Sequence, residues 1–191
     1  MAEKWRLYAF DFDGTLVDNY SSLPNVWKKI GESLGLKKKD LELFVKYVLG
    51  ENDIGKWTRN ALAKIGRKNL ILMKNCNNSL LENRVSRTII LPCAKEILEK
   101  LKIKAISLPA YHAPMGIRSM KRRRIVHSGL SLYFNDIIVA GEDVSSKSEA
   151  MDVLARKYNY SRKSCVLIDD KPVPINEVSM SGFSTIKIDS T

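Results

Sequence analysis

Apolar residues recur with two different periods along this 191-residue chain, and the change of period divides it. Trp5 to Phe10 is a short run dense in aromatic and apolar side chains, which predicts a first strand ending at Asp11. Helical spacing follows over 22–35, 40–50 and 53–67. Its marks are Val26, Ile30 and Leu34, then Leu41, Phe44, Val45 and Val48, then Trp57, Ala61 and Ile65. Gly35, Gly50 and Gly66 stand where helix C-termini call for a left-handed residue, and Asp40 and Asn52 suit N-caps. Leu70 to Asn83 reads as one more helix. Between residue 18 and about 90 no stretch alternates like a strand.

After Leu91-Pro92 strands and helices alternate. Helices are expected over 93–102, 115–129, 147–158 and 174–180, and strands over 103–107, 136–140, 165–169 and 184–188. This order predicts an α/β fold: a Rossmann-like parallel sheet with helices on both faces. A small helical insertion follows the first strand. Sheets of this kind bind ligands at the carboxyl ends of their strands.

Polar residues stand at those ends: Asp11 with Asp13, Ser107, the Gly141-Glu142-Asp143 loop leading to Lys147, and Asp169 with Asp170. On an extended backbone residues i and i+2 point the same way, so Asp11 and Asp13 project together. Two carboxylates so close repel unless a cation or a shared proton relieves them. Oxygen ligands of this kind suit Mg²⁺, and a carboxylate beside a metal can act as a nucleophile. The plainer alternative is a strand end followed by an Asp-Gly turn.

The string Asp11-Phe12-Asp13-Gly14-Thr15-Leu16-Val17-Asp18 resembles the first motif of the haloacid dehalogenase-like hydrolase superfamily, D-x-D-G-T-[LV]-x-D. The resemblance implies that Asp11 is a nucleophile forming an aspartyl-phosphate. It makes Asp13 the acid that protonates the leaving group and then activates water. Ser107, ending Lys104-Ala105-Ile106-Ser107, matches the second motif and would hold a phosphate oxygen. Gly14, Thr15 and Leu108 would border the same phosphate. Lys147 matches the third motif and would offset charge on Asp11 and the phosphoryl group. Ser148 follows it where the family usually has proline, and Ser145 or Ser146 is available to cap the helix instead. Val166-Leu167-Ile168-Asp169-Asp170 resembles the fourth, acidic motif. Mg²⁺ would then be held by Asp11, Asp13 through its carbonyl, and Asp170, with Asp169 beside it. The family commonly carries another Asp or Asn four residues after the last of these, where this chain has Pro174.

The resemblance extends over the whole chain and points to the phosphoglycolate phosphatase-like branch. Residues 1–17 and 91–191 would form the core, and 18–90 a helical C1-type cap hinged near 17–22 and 86–92. Asp18 and Asn19 face the site in many relatives. The implied activity is Mg²⁺-dependent hydrolysis of a small phosphorylated metabolite. A phosphomutase of the same superfamily needs the same residues. A rival of another class is a catalytically weak protein that binds nucleic acid or a protein partner through its basic surface.

Composition adjusts this picture in three ways. The net charge is +11, with 14 basic and 7 acidic residues between 18 and 90. Such a field favours small anions as well as polyanions, so nucleic acid is a secondary expectation. The strongest basic run, Met120-Lys121-Arg122-Arg123-Arg124, reads as a solvated helix face, with contact to a second phosphate, a nucleic acid or an acidic partner as its functional alternative. No apolar run reaches the roughly 20 residues of a membrane span. Cys76, Cys93 and Cys165 share no metal-ligand spacing and read as reduced and mostly buried, in a cytoplasmic protein, monomeric or homodimeric. Tyr111 and His112, just after Ser107, border the expected phosphate site, whereas Trp27 and Trp57 read as packing residues.

Overall fold

The computed structural model describes residues 5–18, 21, 23–49, 60–66, 82, 85–101, 104–108, 115–140 and 142–189, with 104–108 and 115–120 described as backbone. Five parallel strands form the main sheet in the order β5-β4-β1-β6-β7. They are β1 (Leu7–Phe10), β4 (Lys104–Leu108), β5 (Asp136–Val139), β6 (Cys165–Asp169) and β7 (Ser184–Lys187). Among them run helices α3 (Ala94–Lys100), α4 (Met115–His127), α5 (Lys147–Lys157) and α6 (Pro172–Met180).

The register sorts side chains onto two faces. Leu7 pairs with Cys165 and Ala9 with Leu167, and these four pack with Met151 and Leu154 of α5 and Val178 of α6. Phe10 pairs with Ile168, and both point the other way with Val166, onto Leu98 of α3 and Ile125 of α4. All five residues of β6 are buried, as a strand covered on both faces requires.

Proline marks the start of α6 two residues earlier than the periodicity suggests, at Pro172. Pro172 and Pro174 both fall in the first turn, where a missing N–H leaves no intrahelical bond unmade. Pro174 therefore follows from helix initiation.

A second, two-stranded antiparallel sheet was not expected. β2 (Val17–Asp18) pairs with β3 (Ile89–Ile90), Val17 with Ile90 and Asp18 with Ile89. Two-residue strands leave no alternation to read, and each partner lies far away in sequence.

The chain divides into two compact units. The first takes Met1–Asp18, Ile89–His112 and Lys121–Thr191, and the second takes Asn19–Thr88 and Ala113–Met120. In the second unit, α1 (Leu23–Ser33) and α2 (Lys38–Leu49) carry a core of their own. Trp27 meets Phe44 edge-on with ring centroids 6.0 Å apart, and Val26, Ile30, Val48 and Leu62 belong to the same cluster. Trp27 is thus a packing residue, as expected. Gly31 lets the helices approach: a Cβ there would come within 2.4 Å of a Leu41 methyl. Gly35 and Gly66 have the positive φ expected of helix ends. Gly50, Asn52, Trp57 and nearly all of 70–83 lie outside the described residues.

Cys165 is buried and Cys93 is exposed, both with free thiols, which corrects the expectation of burial for Cys93. Cys93 precedes α3 at φ +62°, a backbone position set by the turn after Pro92. Cys76 lies outside the described residues. No described helix is long and apolar enough to cross a membrane.

Candidate active site

β1 and β6 are hydrogen-bonded neighbours that end level with each other, so their terminal carboxylates meet. The Asp11 N–H donates to the Ile168 carbonyl at 2.8 Å, which carries the ladder one step past β1. Asp11 therefore stands next to Asp169. A tight turn follows: Gly14 N–H donates to Val17 O at 2.8 Å, and Leu16 and Val17 both donate to Phe12 O at 3.0 Å. This turn brings Gly14, at φ +84°, against Asp170.

Lys147 reaches the same point from the first turn of α5. Its Nζ donates to Asp11 Oδ1 at 2.8 Å and to Asp169 Oδ2. All three side chains are buried. Ser146 caps α5 by accepting the Glu149 N–H at 3.1 Å, and Glu149 accepts from Ser145 N–H at 2.7 Å. This reciprocal cap fixes where the helix begins, and hence where Lys147 points. Ser148, in the place of the usual proline, shares a hydrogen bond with Ser181.

Asp11, Asp169 and Asp170 can bring one ligand atom each within 4.8 Å of one another. Their hydrogen bonds distinguish them. Asp169 is fully engaged, with Oδ2 on Lys147 and Oδ1 on the Lys171 N–H at 2.9 Å. Asp11 Oδ2 and Asp170 Oδ1 are buried without a hydrogen-bond partner. Two buried carboxylate oxygens without a donor are costly unless a cation is bound there. Burial pushes the Asp11 carboxyl up to about 6; Lys147 opposes the rise and Asp169 adds to it. Burial likewise raises Asp170. The donor set is all oxygen, which fits a hard divalent cation such as Mg²⁺.

Asp13 points to a different partner. Its Oδ1 accepts from Arg124 Nη1 at 2.6 Å, with both side chains buried. The guanidinium carbon lies 5.2 Å from the centroid of the Phe12 ring. One turn earlier on α4, Lys121 is also buried. Burial draws its ammonium down to about 8 against the pull of Asp13 and Asp11. Arg122 ties α4 to the loop after β5 through Asp143, whose Oδ2 also accepts the Val139 N–H at 2.7 Å.

The basic run of α4 is therefore solvated only in part. Lys121 and Arg124 turn inward toward carboxylates, and among residues 121–124 Arg123 is the exposed one. Sequence reading missed them because each lysine or arginine looks solvated by itself. A usable signal was the i, i+3 spacing beside Ile125, which puts two cations on the face an apolar stripe should occupy.

Thr15 is buried with its Oγ1 unpartnered, beside the same turn. Gly14 has its N–H taken by Val17, so its contribution is the room left by a missing side chain. Ser107 and Leu108 end β4 next to β1, where Phe10 pairs with Ile106, so Ser107 occupies the position level with Asp11. Their side chains, and Asn19, Tyr111, His112 and Gly141, lie outside the described residues.

The profile of the family described as haloacid dehalogenase-like hydrolase matches residues 8–188. No curated protein sequence matches significantly. Among solved structures, a protein classed as a β-phosphoglucomutase from Thermotoga maritima aligns with TM-score 0.78 and 16% identity, over 97% of this chain and 86% of that one. A magnesium-bound HAD-hydrolase from Bacillus subtilis gives TM-score 0.73 and 16% identity, over 97% and 87%. A subfamily IA HAD-superfamily hydrolase from Geobacter sulfurreducens gives 0.71 and 16%, over 97% and 88%. At such identity these structures share the fold with this chain. The profile match covers nearly all of the sequence, and by it the chain belongs to the haloacid dehalogenase-like hydrolases.

Proposed function

We propose that this protein is a Mg²⁺-dependent phosphomonoesterase acting through an aspartyl-phosphate on Asp11. The observation that carries the reading is the pairing within one carboxylate. Asp11 has one oxygen pinned by a buried lysine and the other buried with no partner. A carboxylate at about 6 is largely ionised at pH 7, so it attacks phosphorus without a base.

Asp11 forms a bond to phosphorus as the bond to the ester oxygen breaks. The departing oxygen takes a proton from Asp13, which then accepts one from the water that cleaves the acyl phosphate. Lys147 orients Asp11 and neutralises charge on the phosphoryl oxygens. Asp169 holds Lys147 in place through its own hydrogen bond. Ser107 and the amides of Thr15 and Leu108 are assigned to the phosphoryl group. Asp11 Oδ2, Asp170 Oδ1 and the Asp13 carbonyl would hold the metal, which when bound offsets repulsion between carboxylate and phosphate. The second compact unit is assigned as the cap, and the substrate as a small phosphorylated metabolite handled in the cytoplasm by a monomer or homodimer. The acid at Asp13 argues against dehalogenation, which releases halide and needs no protonated leaving group.

Hydrolysis of p-nitrophenyl phosphate with and without Mg²⁺, beside Asp11→Asn, tests the reading. Turnover that requires Mg²⁺ and vanishes in the variant is expected; a wild type inert with Mg²⁺ sinks it. Release of inorganic phosphate from sugar phosphates, rather than an isomerised ester, separates a phosphatase from a phosphomutase built on the same residues.

A further inference from the structure

Within this chemistry Asp13 has to present its carboxyl to the departing oxygen at one moment and to water at the next. Asp13 lies in the turn after β1, where its backbone bridges to Val17. A backbone bridge does not set the direction of a carboxyl. The 2.6 Å hydrogen bond from Arg124 supplies it, arriving from a helix 111 residues away in sequence. Arg124 is itself held: it is 2% exposed, its guanidinium lies over Phe12, and Ile125 beside it is in the core.

A buried ion pair seldom adds net stability over well-packed apolar side chains, because both charges lose their water. A hydrophobic residue at 124 would satisfy packing. What the pair does supply is a fixed direction for one carboxyl oxygen. We infer that Arg124 is a positioning residue for the acid–base step: it holds Oδ1 of Asp13 as an acceptor, so that the other carboxyl oxygen carries the proton to the leaving oxygen. The inference rests on the phosphomonoesterase reading and adds to it a residue on α4.

The consequence is dependence on the leaving group. When the ester bond to phosphorus breaks, its electron pair goes to the departing oxygen. p-Nitrophenolate departs as the anion, whereas an alkoxide needs the proton of Asp13. The experiment compares kcat/KM for p-nitrophenyl phosphate, phenyl phosphate and a primary alkyl phosphate. The proteins are wild type, Arg124→Met, Arg124→Lys, Asp13→Asn and the Arg124→Met/Asp13→Asn double variant, all with Mg²⁺.

Arg124→Met is expected to lose about 100-fold or more on the alkyl ester, within the range for general acid catalysis, and under about tenfold on p-nitrophenyl phosphate. Arg124→Lys falls between. In the double variant the arginine change costs less than about threefold beyond Asp13→Asn, since residues acting as a unit are not additive. Circular dichroism checks folding; if Arg124→Met is unfolded, Arg124→Lys carries the same comparison. An equal loss on all three esters, or a fully multiplicative double variant, overturns the role of Arg124 and leaves the phosphatase reading standing. A wild type inactive on every ester removes that reading and this inference with it.

Discussion

A Cβ on Gly14 would stand 2.5 Å from Oδ2 of Asp170. The turn after β1 and the carboxylate after β6 are therefore packed to a distance that only a hydrogen on the α-carbon allows. The positive φ of Gly14 adds a second penalty for any other residue. Gly14→Ala should push Asp170 out of place. We expect Mg²⁺ to be needed at about 10- to 100-fold higher concentration for half-maximal turnover. Magnesium titration of activity, with a melting curve in EDTA as folding control, reads this out.

Asp11 gives a pH dependence of stability with an unusual sign. Its carboxyl lies at about 6 in the folded protein, above the ordinary 3.8, because burial outweighs Lys147. The folded state thus holds this proton more tightly than the unfolded chain. Its contribution is fully present below pH 4 and is lost as pH rises through 6. In EDTA, Asp11→Asn should melt higher than wild type at pH 7 and lose that advantage near pH 4. A variant that melts lower at pH 7 would show that the lysine outweighs burial.

Lys147 compensates two buried carboxylates at once. Lys147→Met removes the cation hydrogen-bonded to both and should cost about 3–5 kcal/mol, the usual penalty for breaking a buried pair from one side. Adding Asp169→Asn should recover part of that stability and none of the turnover. Urea unfolding and p-nitrophenyl phosphate hydrolysis, run on the same samples, separate the two effects.

Trp27 and Leu132 make a contrast in packing. Trp27 is fully buried in the core of α1 and α2, and Leu132 is 89% exposed. Trp27→Ala should cost about 3–5 kcal/mol, and Leu132→Ser less than about 0.5 kcal/mol. Calorimetry of both variants tests this, and a Trp27→Ala protein of unchanged stability would deny the second unit a core of its own.

Much of this could be read from the chain because its signals are local. The strand ending at Asp11 and the run from Cys165 to Asp169 are apolar segments closed by acids. β7 and α5 also fall within one residue of their expected bounds. What could not be read depends on who meets whom. The β2–β3 pair is two residues deep and joins distant stretches. Arg124 looks like solvent-facing charge until α4 is packed beside the turn of Asp13. The hydrogen bonds from Lys147 to Asp11 and Asp169, which leave Asp11 Oδ2 without a donor, are tertiary as well.

The strand order carries a consequence for how the chain comes to be competent. β1 is central and its neighbour β6 comes late in the sequence, so Asp11 waits for Lys147, 136 residues on, and then for Asp169 and Asp170. Pairings of such sequence separation form slowly, because the chain must close a long loop before any contact offsets its entropy. A growing polypeptide therefore carries Asp11 through the 136 residues up to Lys147 without its partners. Under the reading proposed above, turnover has to wait until β6 has docked beside β1.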